Sequence, residues 1–198
     1  MKNFNQLNIF RRILCALLFL CLALSTLSVQ VFAAKDAGKG IEWSFEGDKL
    51  IISGSGEMRD FTENDTPPWH KHRNDIRAVI VTDGVTSIGD LAFYKYPNVV
   101  SIDLAPSVKK IGAYAFSDCA SLEMVNLGGV RHIENSAFAR CVSLTSIRLP
   151  ATLNAIDDKA FYRCSGLVSI YIPSSVSYIG NMVFTYCDNL IGASIQAN

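Results

Sequence analysis

The stretch IGAYAFSDCASL, residues 111–122, has near-copies in IDDKAFYRCSGL, residues 156–167, and IGNMVFTYCDNL, residues 179–190. Every copy keeps Ile, Phe, Cys and Leu at the same offsets. Self-similarity at a fixed period of roughly 20 to 50 residues is typical of stacked repeats, in which each unit buries its apolar side against the next. The repeat therefore predicts a stack of coils. Its phenylalanines are spaced by 23, 22, 23 and 23 residues: Phe93, Phe116, Phe138, Phe161 and Phe184.

A strand pattern opens each unit. Residues 167–172, LVSIYI, end in apolar alternation. This predicts a short strand with Ile170 and Ile172 facing inwards and Tyr171 facing outwards. A corner residue that favours a turn follows each strand, at Pro106, Gly128, Pro150 and Pro173.

One unit is a residue shorter than the others, and the deletion falls in NLGGVRHI, residues 126–133, where two glycines replace the usual corner. We expect it to lie in a turn. Beyond the corner, apolar residues lie at offsets i, i+4, i+5 and i+8, as at Ile111, Ala115, Phe116 and Cys119. This spacing predicts one face of a helical turn. We therefore expect an α/β solenoid with short parallel strands and about five coils of 22 or 23 residues.

The N-terminus has the layout of a secretory signal. Lys2, Arg11 and Arg12 precede an apolar run, residues 13–24, and small residues precede the expected cleavage after Ala33. An uncleaved anchor is the alternative. It is disfavoured because the run is shorter than the ~20 apolar residues that span a bilayer.

The charge balance limits the classes of partner. The chain has 18 Lys and Arg and 18 Asp and Glu, and residues 1–33 hold three of the cations and no acid, so the cleaved chain carries a formal charge of −3. Nucleic acids and anionic membranes are held chiefly by clustered Lys and Arg. We therefore expect neither nucleic-acid binding nor membrane insertion after cleavage.

Four cysteines occupy one position of the repeat, three residues after each phenylalanine: Cys119, Cys141, Cys164 and Cys187. Stacking places such residues about 4.8 Å apart with parallel side chains, whereas disulfide-bonded Cβ atoms lie about 3.8 Å apart and point at each other. The common phase favours buried thiols over two disulfides or a metal site, which remain the alternatives for an exported chain.

No cluster in the sequence predicts catalysis. A Cys–His hydrolase needs an exposed thiolate with a base in reach, but the cysteines lie in the apolar column and His132 lies next to Ile133. His70 and His72 are two residues apart and have no third ligand nearby. We predict that both are solvated cap residues and that the protein has no enzymatic activity, no metal and no cofactor.

A β-hairpin precedes the repeats. Residues 41–56, IEWSFEGDKLIISGSG, alternate apolar residues on both sides of a Gly-Asp turn. Phe45 should face Leu50, and Trp43 should face Ile52. Such a hairpin would cover the open end of the core.

The predicted organisation has three parts. A signal peptide comprises residues 1–33. An N-terminal cap, residues 34–75, contains the hairpin, a loop and a short helix from Trp69. The solenoid, residues 76–198, begins with a strand that contains Val79 and Val81.

Several stretches together resemble the BspA-like leucine-rich repeat proteins: WSFEGDKLIISGSGEM at 43–58, PPW at 67–69, IRAVIVTDGVTSIGDLAF at 76–93, and the repeated IG..AF..C..L units. The resemblance covers nearly the whole chain after residue 33. It implies a leucine-rich-repeat solenoid without enzymatic activity, exported and often at the surface of host-associated bacteria. It also implies adhesion to host matrix proteins or to other cells.

We therefore expect a secreted or surface-located binding module that recognises host or neighbouring-cell proteins. The alternative is a self-associating structural module without a dedicated ligand. Residues 190–198, LIGASIQAN, favour that alternative because they end in an apparent strand with no polar cap after it.

The candidate site is the outward residue of each strand. These residues form a chemically mixed column in which neighbours are about 5 Å apart. Arg and Tyr dominate many interfaces, so Arg148 beside Tyr171 is the pair of most interest. The alternatives are an ordinary solvated sheet face or a site on the outer turns, with Tyr94, Arg140, Tyr162, Arg163 and Tyr186. The full candidate column is Ile80, Asp103, Asn126, Arg148, Tyr171 and Ser194.

Overall fold

The computed structural model of the protein describes residues 30–33 and 37–195. The predicted signal peptide lies outside the described residues, apart from its last four, which form strand β1 (Gln30–Ala33). In the described part of the chain, no helix is long and apolar enough to cross a membrane.

The cap contains the predicted hairpin in the predicted register. Trp43 lies opposite Ile52 and Phe45 lies opposite Leu50. Gly47 has a φ of +63° in the connecting turn, where glycine has no steric penalty. The predicted short helix is a 3₁₀ helix, His70–His72. The cap strands are β2 (Ile41–Glu46), β3 (Lys49–Gly54) and β4 (Gly56–Glu57).

Five coils follow the cap, and each contributes one strand to each of two parallel sheets, as expected for the predicted solenoid; one further strand, after the fifth coil, completes the first sheet. The hairpin strand β3 pairs with the first strand of coil 1, so the cap and the coils share a sheet. The first sheet continues with β5 (Ala78–Val81), β7 (Ser101–Leu104), β9 (Met124–Asn126), β11 (Ser146–Arg148), β13 (Ser169–Ile172) and β15 (Gly192–Ile195). The second sheet contains β4, β6 (Val85–Ile88), β8 (Lys110–Ile111), β10 (His132–Ile133), β12 (Ala155–Ile156) and β14 (Tyr178–Ile179).

The third side of each coil is a turn segment, residues 112–122 in coil 2, and here the predicted helical turn is wrong. Between residues 37 and 195 the structure contains no α-helix. Two residues of each turn segment adopt a left-handed backbone instead, as Tyr114 and Asp118 do at φ 55° and 61°. A left-handed residue interrupts the i to i−4 bonding of an α-helix.

The left-handed residues let the turn segment bond to the next coil. The N–H groups of Tyr114, Phe116 and Asp118 donate to carbonyl oxygens of coil 3 at 3.0, 2.8 and 2.8 Å. The alternate N–H groups, such as those of Ala115 and Ser117, close turns within their own coil. Buried backbone groups must be paired, and this alternation pairs them both within and between coils.

The core is built from columns of identical residues. The five phenylalanine rings form one stack, with centroid spacings of 5.1, 5.3, 5.5 and 5.8 Å. Trp69 of the cap extends the stack, because its ring lies 5.6 Å from that of Phe93. Trp69 and Phe138 are fully buried, whereas Phe184 in the last coil is only partly buried.

The short coil interrupts the first sheet. Gly128 and Gly129 lie in a turn, as predicted, and a Cβ on Gly128 would lie 2.3 Å from the carbonyl oxygen of Leu104. In the same coil the strand pairing is interrupted: β9 and β11 are neighbours that share no strand pairing, and the sheet resumes as β11-β13-β15. The second sheet runs through the same coil without a break.

The ring stack predicts a graded cost of truncation. Phe138→Ala removes a ring that is packed on both faces and should cost about 3 to 5 kcal/mol of unfolding free energy. Few coil interfaces are available to compensate, so most of the structure should be lost cooperatively. Phe184→Ala is the matched control and should cost clearly less, because that ring stacks on one neighbour only. Equal melting temperatures for the two variants would contradict the stack as the main source of stability.

A candidate binding surface on the first sheet

The predicted outward column lies on the first sheet, one residue on each strand. Strand pairing brings consecutive members opposite each other: Ile80 with Asp103, Asp103 with Asn126, and Arg148 with Tyr171, which also pairs with Ser194. The residues that flank the column in the strand of coil 5 point into the core, as the buried Ile170 and Ile172 do on either side of Tyr171.

All members of the column except Ile80 are exposed, and Ile80 is half-buried. Tyr171 is 48% exposed, a large fraction for an aromatic side chain with no role in the core. The column therefore reaches solvent along nearly its whole length.

The column divides into two unlike halves at the break between β9 and β11. In the first half, Asn126 Nδ2 donates to Asp103 Oδ1 at 2.7 Å, and Asn126 Oδ1 accepts from the Gly128 N–H at 3.2 Å. In the second half, Arg148 lies beside Tyr171, and within residues 37–195 no carboxylate lies at ion-pair distance from Arg148. The polar side chains of the first half are thus hydrogen-bonded to each other, whereas the Arg148 guanidinium of the second half has no ion-pair partner among the described residues.

A second outward column lies beside the first, and the sequence analysis missed it. In the second half, small residues lie two positions before each member: Ser146 pairs with Ser169, and Ser169 pairs with Gly192. These three residues are exposed. In the first half the equivalent position includes the larger Met124. Small residues at period-two spacing in the last repeats were the available signal. They leave an open shelf next to Arg148 and Tyr171 that an approaching surface could reach.

The cysteine column is a ladder of buried free thiols. Cys119, Cys141, Cys164 and Cys187 are all unpaired by disulfides. Each Sγ donates to the carbonyl oxygen of the phenylalanine one coil before it, at 3.1 to 3.3 Å. The thiols thus tie neighbouring coils together, and they are architectural.

Burial keeps these thiols protonated. It raises the pKa of Cys119 and Cys164 to about 12, and it raises the pKa of Cys141 and Cys187 as well. Since the thiolate is the reactive form, this ladder is unsuited to nucleophilic catalysis.

The histidines take structural positions. His132 Nε2 lies 2.8 Å from Asp157 Oδ1 in the next coil. His70 and His72 are partly exposed cap residues, and each also makes an aromatic contact: the His70 ring packs edge-on against Tyr96 and the His72 ring against Phe45. Aromatic packing thus holds His70 against coil 1 and His72 against the cap hairpin.

In the alternative site on the outer turns, the arginine side chains contact neighbouring coils. Arg163 lies over the rings of Tyr162 and Tyr186, at 5.4 and 5.2 Å from their centroids. Arg140, one coil earlier, has its Nη1 3.5 Å from Asp118 Oδ1. Asp118, Arg140, Arg163 and Tyr186 line a shallow groove of about 550 Å³ across coils 2 to 5.

Comparison with known families finds one matching model. The model described as "BspA type Leucine rich repeat region" matches six copies over residues 70–191, which is more than half of the chain. Among curated proteins no match to the sequence is found.

Three solved structures are similar along most of the chain. A leucine-rich repeat protein from Eubacterium ventriosum is 25% identical, with a TM-score of 0.67 over 86% of this chain and 45% of that one. The T. pallidum leucine-rich repeat protein is 28% identical, with a TM-score of 0.59 over 85% and 69%. One from Bacteroides ovatus is 28% identical, with a TM-score of 0.57 over 82% and 40%. The chain thus spans less than half the length of two of these proteins.

The buried thiols should control stability at high pH. Their folded pKa is raised, so the fold favours the neutral thiol, and this stability is fully present below the ordinary thiol value of 9.0. The unfolding free energy should stay level to about pH 8 and fall between about pH 9 and pH 12. Chemical denaturation at each pH measures it.

A Cys141→Ala variant is the control, since it should show a weaker loss over the same pH range. In native protein near neutral pH the four thiols should resist a thiol reagent, and all should react after denaturation. A full native reaction, or none in denaturant without reductant, would contradict the buried-thiol ladder.

Proposed function

Because the chain belongs to the BspA-type leucine-rich repeat proteins, we propose that it is an exported module that binds another protein through its first sheet. The family and fold are those of non-catalytic binding modules. The partner we propose is an extracellular protein of a host or of a neighbouring cell, and the location is the cell surface or the medium.

The outward column carries this proposal. The inward positions repeat the same apolar residues, because packing requires them, whereas the outward positions hold an aliphatic, an acid, an amide, a guanidinium, a phenol and a hydroxyl. Variety where packing imposes no constraint is what a recognition surface needs.

Arg148 and Tyr171 would be the anchors of the interface. Arg and Tyr bury large areas, make directional hydrogen bonds and are enriched among the residues that dominate binding energy. The serine shelf beside them would let a partner backbone approach closely. A ligand that paired with Arg148 would not have to displace an existing ion pair among the described residues.

Export is supported by the N-terminal segment. Three cations precede the apolar run and small residues precede Ala33, the layout of a cleaved secretory signal. The free thiols are compatible with export because they are inaccessible to oxidants in the folded protein.

Self-association is a second candidate function, favoured by the exposure of coil 5. Ile179 is 41% exposed, whereas the four equivalent isoleucines of the earlier coils are fully buried. Ile191 is 88% exposed. This exposed apolar side of coil 5 could pack against the same side of a second copy, an isologous contact that forms a dimer.

A double substitution tests the sheet face. The purified protein is screened against extracellular matrix proteins, and affinities are then measured for each partner found. Arg148→Ala with Tyr171→Ala should weaken binding at least tenfold, or ~1.4 kcal/mol, with the melting temperature nearly unchanged because both side chains are exposed. Arg131→Ala with Tyr178→Ala supplies a matched pair of exposed residues outside the first sheet. Unaltered affinity in the folded double variant would remove the site from the first sheet.

A charge at the exposed end tests self-association. Light scattering of the chain ending at Asn198 should detect dimers at micromolar concentration, and Ile191→Asp should leave monomers because it places a charge in the apolar contact. Tyr114→Asp, which changes an exposed apolar residue far from that end, should dimerise like the parent. A parent protein that stays monomeric at high concentration would exclude this candidate.

A further inference from the structure

The groove on the turn segments is a second surface with its own chemistry. One of its two edges consists of left-handed residues, one from each of coils 2 to 5: Asp118, Arg140, Arg163 and Tyr186, all with φ near 60°. Glycine and asparagine adopt this conformation at the lowest cost. The turn segments hold other residue types at all their left-handed positions, and along the groove these are two arginines, an aspartate and a tyrosine, whose side chains line it.

The Arg163 guanidinium is positioned by aromatic contacts and has free N–H groups that could bind an anion. Its guanidinium lies over two tyrosine rings, and those rings meet edge to face at 5.4 Å and 81°. A guanidinium over ring faces keeps its in-plane N–H fork free for two parallel hydrogen bonds to a carboxylate. Within the described residues, no carboxylate lies at ion-pair distance from Arg163.

The remaining groups of the groove are mixed. Asp118 and Asp188 supply carboxylates that accept hydrogen bonds, Ser165 supplies a hydroxyl, and Val142 supplies an exposed apolar patch. The groove thus offers one free cationic fork, several acceptors and a small apolar floor. At about 550 Å³ it lies within the size range of small-ligand sites.

We propose that this groove binds a carboxylated sugar, with the sugar carboxylate on the Arg163 fork. The hydroxyl groups of the sugar would donate to Asp118 and Asp188, and its C–H face would lie on Tyr186 or Val142. A neutral sugar would leave the fork unused. An acidic peptide would fit less well, because its further carboxylates would approach two aspartates.

This site is independent of the proposed protein-binding column, since its residues belong to the turn segments and not to the strands of the first sheet. The two proposals can therefore be tested and refuted separately. A loss of binding after Arg148→Ala concerns the sheet, and a loss after a change of Arg163 concerns the groove.

Sodium glucuronate is the first probe, titrated into isotopically labelled protein and followed by amide chemical shifts. Shifts should concentrate in the turn segments of coils 4 and 5 and saturate in the millimolar range. Arg163→Gln should weaken binding at least tenfold. Arg163→Lys should weaken it severalfold, because a lysine keeps the charge and loses the planar fork. Arg131→Gln removes an exposed cation elsewhere and should bind within twofold of the parent.

Glucose and a tri-aspartate peptide complete the design. Weak or no binding of both supports a carboxylated sugar. Glucose that binds as tightly as glucuronate would overturn the role of the fork, as would full binding by Arg163→Lys. Tri-aspartate that binds more tightly, with the same shifts, would overturn the sugar in favour of an acidic peptide. Absence of shifts with glucuronate in a well-folded spectrum would overturn the site.

Discussion

Hydrogen bonds between successive coils are the constraint on which the structure depends. The backbone of a coil some 23 residues long cannot satisfy itself, so its N–H and C=O groups must meet those of the coils before and after it. Two sides of the coil do this as parallel sheets. The third does it through left-handed residues such as Tyr114 and Asp118, each of which costs about 1 to 2 kcal/mol. Each also pairs an N–H that, buried without a partner, would cost about 1 to 3 kcal/mol.

The sequence predicted the parts of the fold that side-chain burial dictates. The phenylalanine spacing gave the stack, and the alternation around Gly47 gave the hairpin register down to Trp43 opposite Ile52. The helical turn was wrong because burial at offsets i, i+4, i+5 and i+8 is compatible with a helix and with two successive turns. The two structures differ in the acceptors of alternate backbone N–H groups. In the turns these acceptors are carbonyl groups of a neighbouring coil, and the local sequence does not indicate them.

The outward column could be predicted for the same reason, because outward residues alternate with the inward ones along each strand. The difference between its two halves could not be predicted. The hydrogen bond between Asp103 and Asn126 and the break in strand pairing after β9 depend on side-chain and backbone geometry that the repeat spacing does not encode. The contact of the Arg163 guanidinium with the ring of Tyr186 likewise joins residues 23 positions apart and requires the three-dimensional register of the turns.

The break between β9 and β11 also gives the protein an uneven mechanical character. A rod that is hydrogen-bonded on three sides resists bending about equally in all directions, but here one side lacks its strand pairing at a single level while the other two remain continuous. Bending that opens the first sheet would therefore meet the least resistance between β9 and β11. The two halves of the outward column would then tilt relative to each other as near-rigid blocks, and a curved partner could be accommodated without unfolding any coil.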